Sequence, residues 1–229
     1  MEKQYEALLN HLFKAEGGKL HKNSKELDIT NAYGIYRYAN PKAEIWNYID
    51  GLAMTVTRAP SKAWDAVQIA KVNNLIDKKI ERELSYNFYK KYLAPLKLEL
   101  YPDDLTVTLV DCFANTQTGT YKAIQEGLND CYKYGLFKFT PKKPQPNGNI
   151  LLVDGDIGSG TIMAINAFFN NPEVKDPEIR RLQNIIFKNC MLLYMKSYYA
   201  EITVGKPDKF LGVLKGLCNR MENAQHLGD

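Results

Sequence analysis

A glutamate followed by two glycines, Glu16-Gly17-Gly18, is the segment of this sequence best suited to acid–base chemistry. Cleavage of a glycosidic bond needs a carboxylic acid that holds its proton near neutral pH and gives it to the departing oxygen. We expect Glu16 to end a helix, where the partial negative charge of the helix disfavours an ionised carboxylate. The apolar face of Leu12 and Phe13 would also partly desolvate it. Taken alone, these features fit a solvated residue before a glycine cap better than a catalyst.

A second reacting group is expected on the loop that follows this glutamate. Glu26 and Asp28 are the carboxylate candidates for a base or a nucleophile. A base in an inverting glycosidase lies about 6.5–9.5 Å from the acid, whereas a nucleophile in a retaining one lies about 5–5.5 Å away. Thr30 offers a different solution, because its hydroxyl could position the water without a second carboxylate. Ordinary solvation of the loop explains either carboxylate equally well.

Substrate contacts are predicted for Tyr33 and Tyr36, which lie beside this loop. An aromatic face covers the C–H groups of a sugar while the phenol forms hydrogen bonds. The alternative role for both tyrosines is to hold the loop against the first helix. Asn115 is a further candidate for substrate contact, and a helix cap is its alternative role.

The elements that would position these residues are mostly helices. Tyr5, Leu8, Leu9, Leu12 and Phe13 recur at three- and four-residue intervals, which predicts a helix that ends at the two glycines. We interpret residues 19–38 as a loop or a short irregular hairpin. Further helices are predicted from Asp77, with a four-residue apolar step, from Asp103 or Asp104, over about Asp176–Ala200, and over 207–222. Ile150–Val153 is the clearest strand pattern, so the sequence predicts a mainly α protein with little β-sheet.

Composition argues against several classes of protein. The chain has 229 residues and a formal net charge of +4, far from the concentrated basic stripe of a dedicated nucleic-acid binder. Its four cysteines are widely separated and its three histidines are scattered, so we predict reduced thiols and no metal site. The glycines of residues 155–160 lack both the dinucleotide fingerprint and the lysine of a phosphate loop, and no cofactor is predicted.

The amino terminus, MEKQYEALLNHLF, has no unbroken apolar stretch and no small-residue cleavage site. We therefore expect synthesis in the cytoplasm without a signal peptide. No segment approaches the roughly 20 apolar residues that a membrane span needs, so stable membrane insertion is not expected.

The segment that opens with the candidate acid resembles the opening of glycoside hydrolase family 108. That family comprises lysozyme-like N-acetylmuramidases, among them phage endolysins and proteins once called secretion activators. Its opening contains a Glu-Gly-Gly, an Asp-Pro-Gly-Gly run, a Thr and a Gly-Ile. The residues that match here are Glu16, Gly17, Gly18, Asp28, Thr30, Gly34 and Ile35. The Pro-Gly-Gly is missing, and one residue is added before Gly34.

Later segments resemble later parts of the same family, in the same order. Residues 88–93 are similar to its tyrosine-rich helix, with Leu93 where Trp is usual. Residues 111–116 resemble an Asp-x-x-x-Asn element that opens the family's peptidoglycan-binding region. Residues 154–161 resemble its Asp-Gly-x-Ile-Gly-Pro-x-Thr turn, with Ser159 in place of Pro. Tyr198-Tyr199 and residues 210–220 resemble its final helices.

This resemblance implies a lysozyme-like helical fold with Glu16 as the catalytic acid. Residues 1–100 would form the catalytic region, and residues 101–229 a helical peptidoglycan-binding-like region packed on it as one compact unit. The implied activity is that of an N-acetylmuramidase, which cleaves peptidoglycan glycan strands between N-acetylmuramic acid and N-acetylglucosamine. The enzyme would act as a monomer on the cell wall, without cofactor or nucleic acid, after release or export by a holin or a secretion system.

Two other classes of function remain open at this point. One is a peptidoglycan-binding module without catalysis, which the missing Pro-Gly-Gly and the absent tryptophans favour. The other is a helical interaction or nucleic-acid adaptor, for which the positive charge balance is the motivation.

Overall fold

Helices dominate the chain, as its periodicity predicts. A computed structural model describes residues 3–22, 28–56, 64–141, 143, 145 and 147–204. In these ranges the fold is mainly α, and its sheet consists of two short antiparallel strands. Contacts between residues divide the chain into two units, Met1–Ala94 and Pro95–Asp229. The boundary predicted from the sequence follows residue 100.

The first unit combines helices with a small hairpin. Its described elements are α1 (Lys3–Ala15), β1 (His21–Lys22), β2 (Ile29–Thr30), α2 (Glu44–Val56), α3 (Ala66–Leu75) and α4 (Lys78–Tyr92). Helix α1 ends just before Gly17 and Gly18, which both have a positive φ, of 73° and 67°. These two residues make the predicted helix stop, because glycine adopts left-handed backbone angles without steric cost. The core of the unit contains fully buried apolar side chains, among them Leu8, Leu9, Ile45, Trp46 and Ile49.

Helix α4 buries polar residues instead of its apolar four-residue step. The helix begins close to the predicted start, and Asp77 caps it, since its carboxylate accepts hydrogen bonds from the first-turn backbone. The residues that face the interior are Glu81, Ser85 and Tyr89, which are 0%, 0% and 7% exposed. Ile80, the first residue of the apolar step, is 42% exposed. The buried polar face of α4 therefore has hydrogen-bonding partners inside the unit.

The hairpin follows directly after the glycine turn. Its antiparallel pairs are His21 with Thr30 and Lys22 with Ile29. Thr30 also forms an isolated antiparallel bridge with Tyr36, which extends the pairing by one residue. This arrangement confirms the short irregular hairpin expected between residues 19 and 38.

The second unit is built on two long antiparallel helices. Its described α-helices are α5 (Asp103–Asn115), α6 (Gln117–Lys133), α7 (Ser159–Phe169) and α8 (Pro177–Val204), after 3-10 turns at Ala94–Leu96 and Leu98–Leu100. Helix α8 confirms the long helix predicted from about Asp176. An aromatic cluster fills the space between α7 and α8, where Phe168 and Phe187 are fully buried.

Ile150–Val153 is not a strand, because its backbone bonds to a helix side chain and not to another strand. The N–H groups of Ile150 and Leu151 donate to Asn129 Oδ1 at 3.0 and 2.9 Å. The predicted final helix, 207–222, lies outside the described residues. Within the part of the chain that is described, no helix is long and apolar enough to cross a membrane.

Candidate active site

Glu16 lies one residue beyond α1, with its side chain resting on a glycine. Its N–H donates to Leu12 O at 2.9 Å, so the backbone continues the last turn of the helix. The side chain is 33% exposed, which leaves the carboxyl reachable from solvent. A Cβ atom added at Gly34 would lie 3.2 Å from Glu16 Oε1, and Gly34 has a φ of 79°. Glycine at position 34 therefore serves both the turn and the space for the carboxyl group.

The imidazole of His21 lies close to this carboxyl group. Its Nε2 lies 3.6 Å from Glu16 Oε2, and its Nδ1 lies 3.1 Å from Lys19 O. Because a carbonyl oxygen can only accept a hydrogen bond, Nδ1 carries a proton and Nε2 is turned towards the carboxyl group. Sequence reasoning missed this residue. The available signal was its position, since a hairpin strand that begins six residues after the end of α1 brings the chain back to that end.

The hairpin places further candidates on the same face as the histidine. Cross-strand partners project to one face of a sheet, so Thr30 shares the face of His21, and Tyr36 shares that of Thr30. Thr30 is 7% exposed and Tyr36 is half-buried. Asp28 lies one residue before β2, and its Oδ1 accepts the Ile29 N–H at 2.9 Å. Glu26 lies outside the described residues.

Tyr33 holds the loop in place and offers no ring face to a ligand. It is 2% exposed, and its ring packs on Phe13 with centroids 5.3 Å apart. Its carbonyl accepts the Tyr89 hydroxyl at 2.7 Å. Burial raises the pKa of Tyr33, while a hydrogen bond from the Arg82 side chain acts in the opposite direction. The burial of this ring and its packing on Phe13 match the alternative role of Tyr33, which is to hold the loop against the first helix.

Asn31 organises the turn that carries Gly34. Its side chain is fully buried, and Oδ1 accepts the N–H groups of Tyr33 and Ile35 at 3.0 and 2.9 Å. Its Nδ2 donates to Ser85 Oγ at 3.0 Å. The amide thus satisfies the inside of the turn and ties it to α4. Sequence reasoning gave Asn31 no role of its own.

The buried polar face of α4 fixes both turns beside Glu16. Glu81 Oε1 accepts the Ala32 N–H at 3.1 Å, and Oε2 lies 3.0 Å from Lys78 Nζ. Lys78 Nζ also donates to Gly18 O at 3.2 Å. One buried carboxylate therefore connects the loop after β2 with the glycine turn after α1. Its two oxygens each have a partner, which burial of a charged group requires.

A groove of about 600 Å³ opens next to this site. Its lining includes the chain from Gly18 to Lys22, so His21 borders both the groove and the carboxyl group of Glu16. The remaining lining comes from Lys78 and from α3. The polar side chains of the lining are those of Lys19, His21, Lys22, Asn73, Asn74 and Lys78. Within this lining, the Asn73 amide is engaged by the backbone of Leu20, and Lys78 by Gly18 and Glu81. Ammonium and amide groups such as those of Lys19 and Asn74 suit a ligand that carries hydroxyl, acetamido or carboxylate groups.

The remaining site prediction, Asn115, falls in the second unit as the last residue of α5. The cap of the next helix is its neighbour Thr116, whose Oγ1 accepts the Gly119 N–H at 3.1 Å. The cap proposed for Asn115 therefore belongs to Thr116.

The glycine-rich turn at residues 154–161 is held by a single helix side chain. Gln125 Nε2 donates to Asp154 Oδ1 at 2.7 Å and to Asp156 O at 2.9 Å, and its Oε1 accepts the Gly155 N–H at 2.9 Å. Burial raises the pKa of Asp154, but its hydrogen bonds and the nearby Lys122 outweigh this and lower it overall. These contacts are structural, and sequence reasoning did not identify Gln125.

Among the described residues, no group of three or more His, Cys, Asp and Glu side chains could hold a metal ion. Comparisons with protein-family models, with curated proteins and with solved structures find no match for this chain.

Proposed function

We propose that the chain is a peptidoglycan hydrolase of the N-acetylmuramidase type, with Glu16 as its general acid. The observation that carries the proposal is the setting of this carboxyl group. It lies at a helix end, rests on Gly34, faces His21 Nε2 at 3.6 Å and is one-third exposed beside an open groove that carries lysine and asparagine side chains. The ordered resemblance to glycoside hydrolase family 108 supports the same residue and supplies the substrate class.

In the proposed reaction, Glu16 gives its proton to the oxygen that links N-acetylmuramic acid to N-acetylglucosamine. The leaving sugar keeps that proton as a hydroxyl group, and a water molecule attacks the anomeric carbon and releases its surplus proton to solvent. Gly17 and Gly18 present no side chains beside the acid, so a polymer can approach it closely. After the reaction the Glu16 carboxylate takes up a new proton from solvent, to which its side chain is one-third exposed.

Thr30 is the proposed positioning group for the water. It lies across the hairpin from His21 and on the same face, whereas Asp28 Oδ1 is engaged by the N–H of Ile29. A water held by a threonine hydroxyl needs no second carboxylate. The groove beside the acid would bind the strand next to the cleaved bond, since the amide of Asn74 matches acetamido groups and the ammonium groups of Lys19 and Lys22 match the peptide carboxylates.

The decisive test is the Glu16→Gln variant. Gln keeps the size of the side chain but cannot donate the proton, so release of reducing ends from purified sacculi should fall by about 100-fold or more. Glu83→Gln is the matched control, because Glu83 is an exposed carboxylate of the same unit. Circular dichroism should show that both variants are folded. Undiminished hydrolysis by Glu16→Gln would refute the assignment.

Mass spectrometry of the digested sacculi adds a second criterion. Products that end in N-acetylmuramic acid identify a muramidase, whereas ends in N-acetylglucosamine would contradict the proposed bond. If the native chain binds sacculi and releases no fragments at all, the protein is a binding module and the hydrolase proposal fails.

A further inference from the structure

Two of the cysteines lie on the two long helices of the second unit. Cys131 belongs to α6 and is fully buried, whereas Cys190 belongs to α8 and is partly exposed. Neither residue has a part in the proposed hydrolysis. Their separation along the sequence gave no reason to consider them together.

The register of the two helices brings these cysteines opposite each other. At one end of the pair, a Cβ atom added at Gly119 would lie 2.8 Å from the ring of Tyr198. Nearer the middle, a Cβ atom at Gly127 would lie 3.1 Å from the ring of Phe187 and 3.5 Å from the backbone N of Met191. Later residues of α6 thus contact earlier residues of α8, so the two helices are antiparallel.

The same register continues beyond the cysteines. Gln183 Nε2 donates to the carbonyl of Leu136 at 2.8 Å. Cys131 lies one helical turn after Gly127, and Cys190 is the neighbour of Met191, whose backbone N lies 3.5 Å from a Cβ atom added at Gly127. The two thiols are accordingly within hydrogen-bonding contact.

The contact makes the two thiols unequal. The hydrogen bond from Cys131 lowers the pKa of Cys190, although burial and the nearby Asp130 act against it. The same hydrogen bond, together with burial, raises the pKa of Cys131. Cys190 is therefore both the more accessible thiol and the one that forms a thiolate more easily.

We propose that Cys131 and Cys190 form an intramolecular disulfide when the folded chain meets a small-molecule disulfide. The Cys190 thiolate attacks one sulfur of that oxidant, forms a mixed disulfide and releases one thiolate of the oxidant. Cys131 then loses its proton to solvent, and its thiolate attacks the Sγ of Cys190. The Cys131–Cys190 bond forms and the second thiolate of the oxidant leaves. In total, two protein thiols are oxidised and one small disulfide is reduced to two thiols.

The consequence is a covalent link between α6 and α8 that can be opened again by reduction. A disulfide limits the unfolded chain between its two cysteines and so stabilises the folded state. A protein made with reduced thiols would acquire the link on passing into an oxidising compartment, which is the course that cell-wall hydrolysis would require. The disulfide itself does not depend on that activity.

The test uses the full chain and glutathione disulfide under native conditions. Trypsin cuts after Lys122, Lys133, Lys188 and Lys196, so the expected product is peptide 123–133 linked to peptide 189–196. Mass spectrometry should find this linked pair with two hydrogens fewer than the separate peptides, and reduction should separate it. The oxidised chain should also melt roughly 5–15 °C above the reduced chain.

Variants distinguish the proposed order of events. Cys131→Ser should accumulate one glutathione adduct on Cys190, whereas Cys190→Ser should leave Cys131 unmodified. Cys112→Ser is the control that should still form the link, since burial of Cys112 raises the pKa of its thiol to about 12. A link between Cys190 and any other cysteine would overturn the proposal. So would a rate of formation of the 131–190 link in the folded chain that is no higher than the rate at which other cysteine pairs link in the denatured chain.

Discussion

Removal of the Glu81 carboxylate should destabilise the first unit by about 3–5 kcal/mol, the range found when one partner of a buried charge pair is removed. Glu81 is 0% exposed and accepts the N–H of Ala32, which is itself fully buried. In Glu81→Ala that N–H would be left without a partner, at a cost of about 2–3 kcal/mol. The small cavity left by the missing side chain adds about 1–2 kcal/mol.

The lysine partner contributes less to this total. Lys78 is 44% exposed, so its ammonium regains water when the carboxylate is lost, and its share is about 1 kcal/mol or less. Glu81→Gln should cost less than Glu81→Ala, about 1.5–3 kcal/mol, because an amide can accept from Ala32 but then turns its NH₂ group towards Lys78.

Tryptophan fluorescence in a urea titration measures the free energy of unfolding of the first unit, which contains Glu81. Trp46 and Trp64 are the only tryptophans of the chain, both lie in the first unit, and they are 2% and 8% exposed. Glu83→Ala provides the control and should change the free energy of unfolding by less than about 0.5 kcal/mol. If the free energy of unfolding of Glu81→Ala lies within about 1 kcal/mol of that of the native chain, the claim that this carboxylate organises the loop is refuted.

Two further predictions concern the surroundings of the proposed acid. Gly34→Ala should lower the stability by about 1 kcal/mol or more, because of its φ of 79°, and should reduce hydrolysis of sacculi, because the new Cβ would lie 3.2 Å from Glu16 Oε1. Full activity in that variant would contradict the packing argument. His21→Ala should slow the release of reducing ends by roughly ten-fold or more, because it removes the imidazole whose Nε2 lies 3.6 Å from Glu16 Oε2. His11→Ala, at a position on α1, should leave the rate unchanged, and an equal loss in both variants would remove His21 from the site.

The helices of this protein follow from local signals in its sequence. The two glycines after α1 and the Asp77 cap of α4 act within a few residues, so their effects can be read directly. The long helix α8 follows from its sustained periodicity. The sequence also predicts the position of Glu16 at a helix end, which depends on the same local signals.

The surroundings of Glu16 depend on contacts that periodicity does not encode. A polar residue on a helix is read as exposed, yet Glu81 and Ser85 are buried because a loop presents donors and acceptors to them. The prediction of a strand at Ile150–Val153 was wrong for a similar reason, since the backbone of Ile150 and Leu151 bonds to the side chain of Asn129 on a helix. His21 was missed because its contact with Glu16 arises only when the hairpin turns the chain back.

The three bonds that join α4 to the loop also set the order in which the proposed site can be completed during synthesis. Asn31 bonds to Ser85, Ala32 to Glu81 and Tyr33 to Tyr89, at separations of 54, 49 and 56 residues. Because the chain is made from its amino terminus, the loop is complete long before the helix that holds it exists. A nascent chain that ends before Tyr89 carries the acidic side chain of Glu16 without the support that orients its neighbours. Chain growth itself thus delays the appearance of an organised site until the fourth helix has been synthesised.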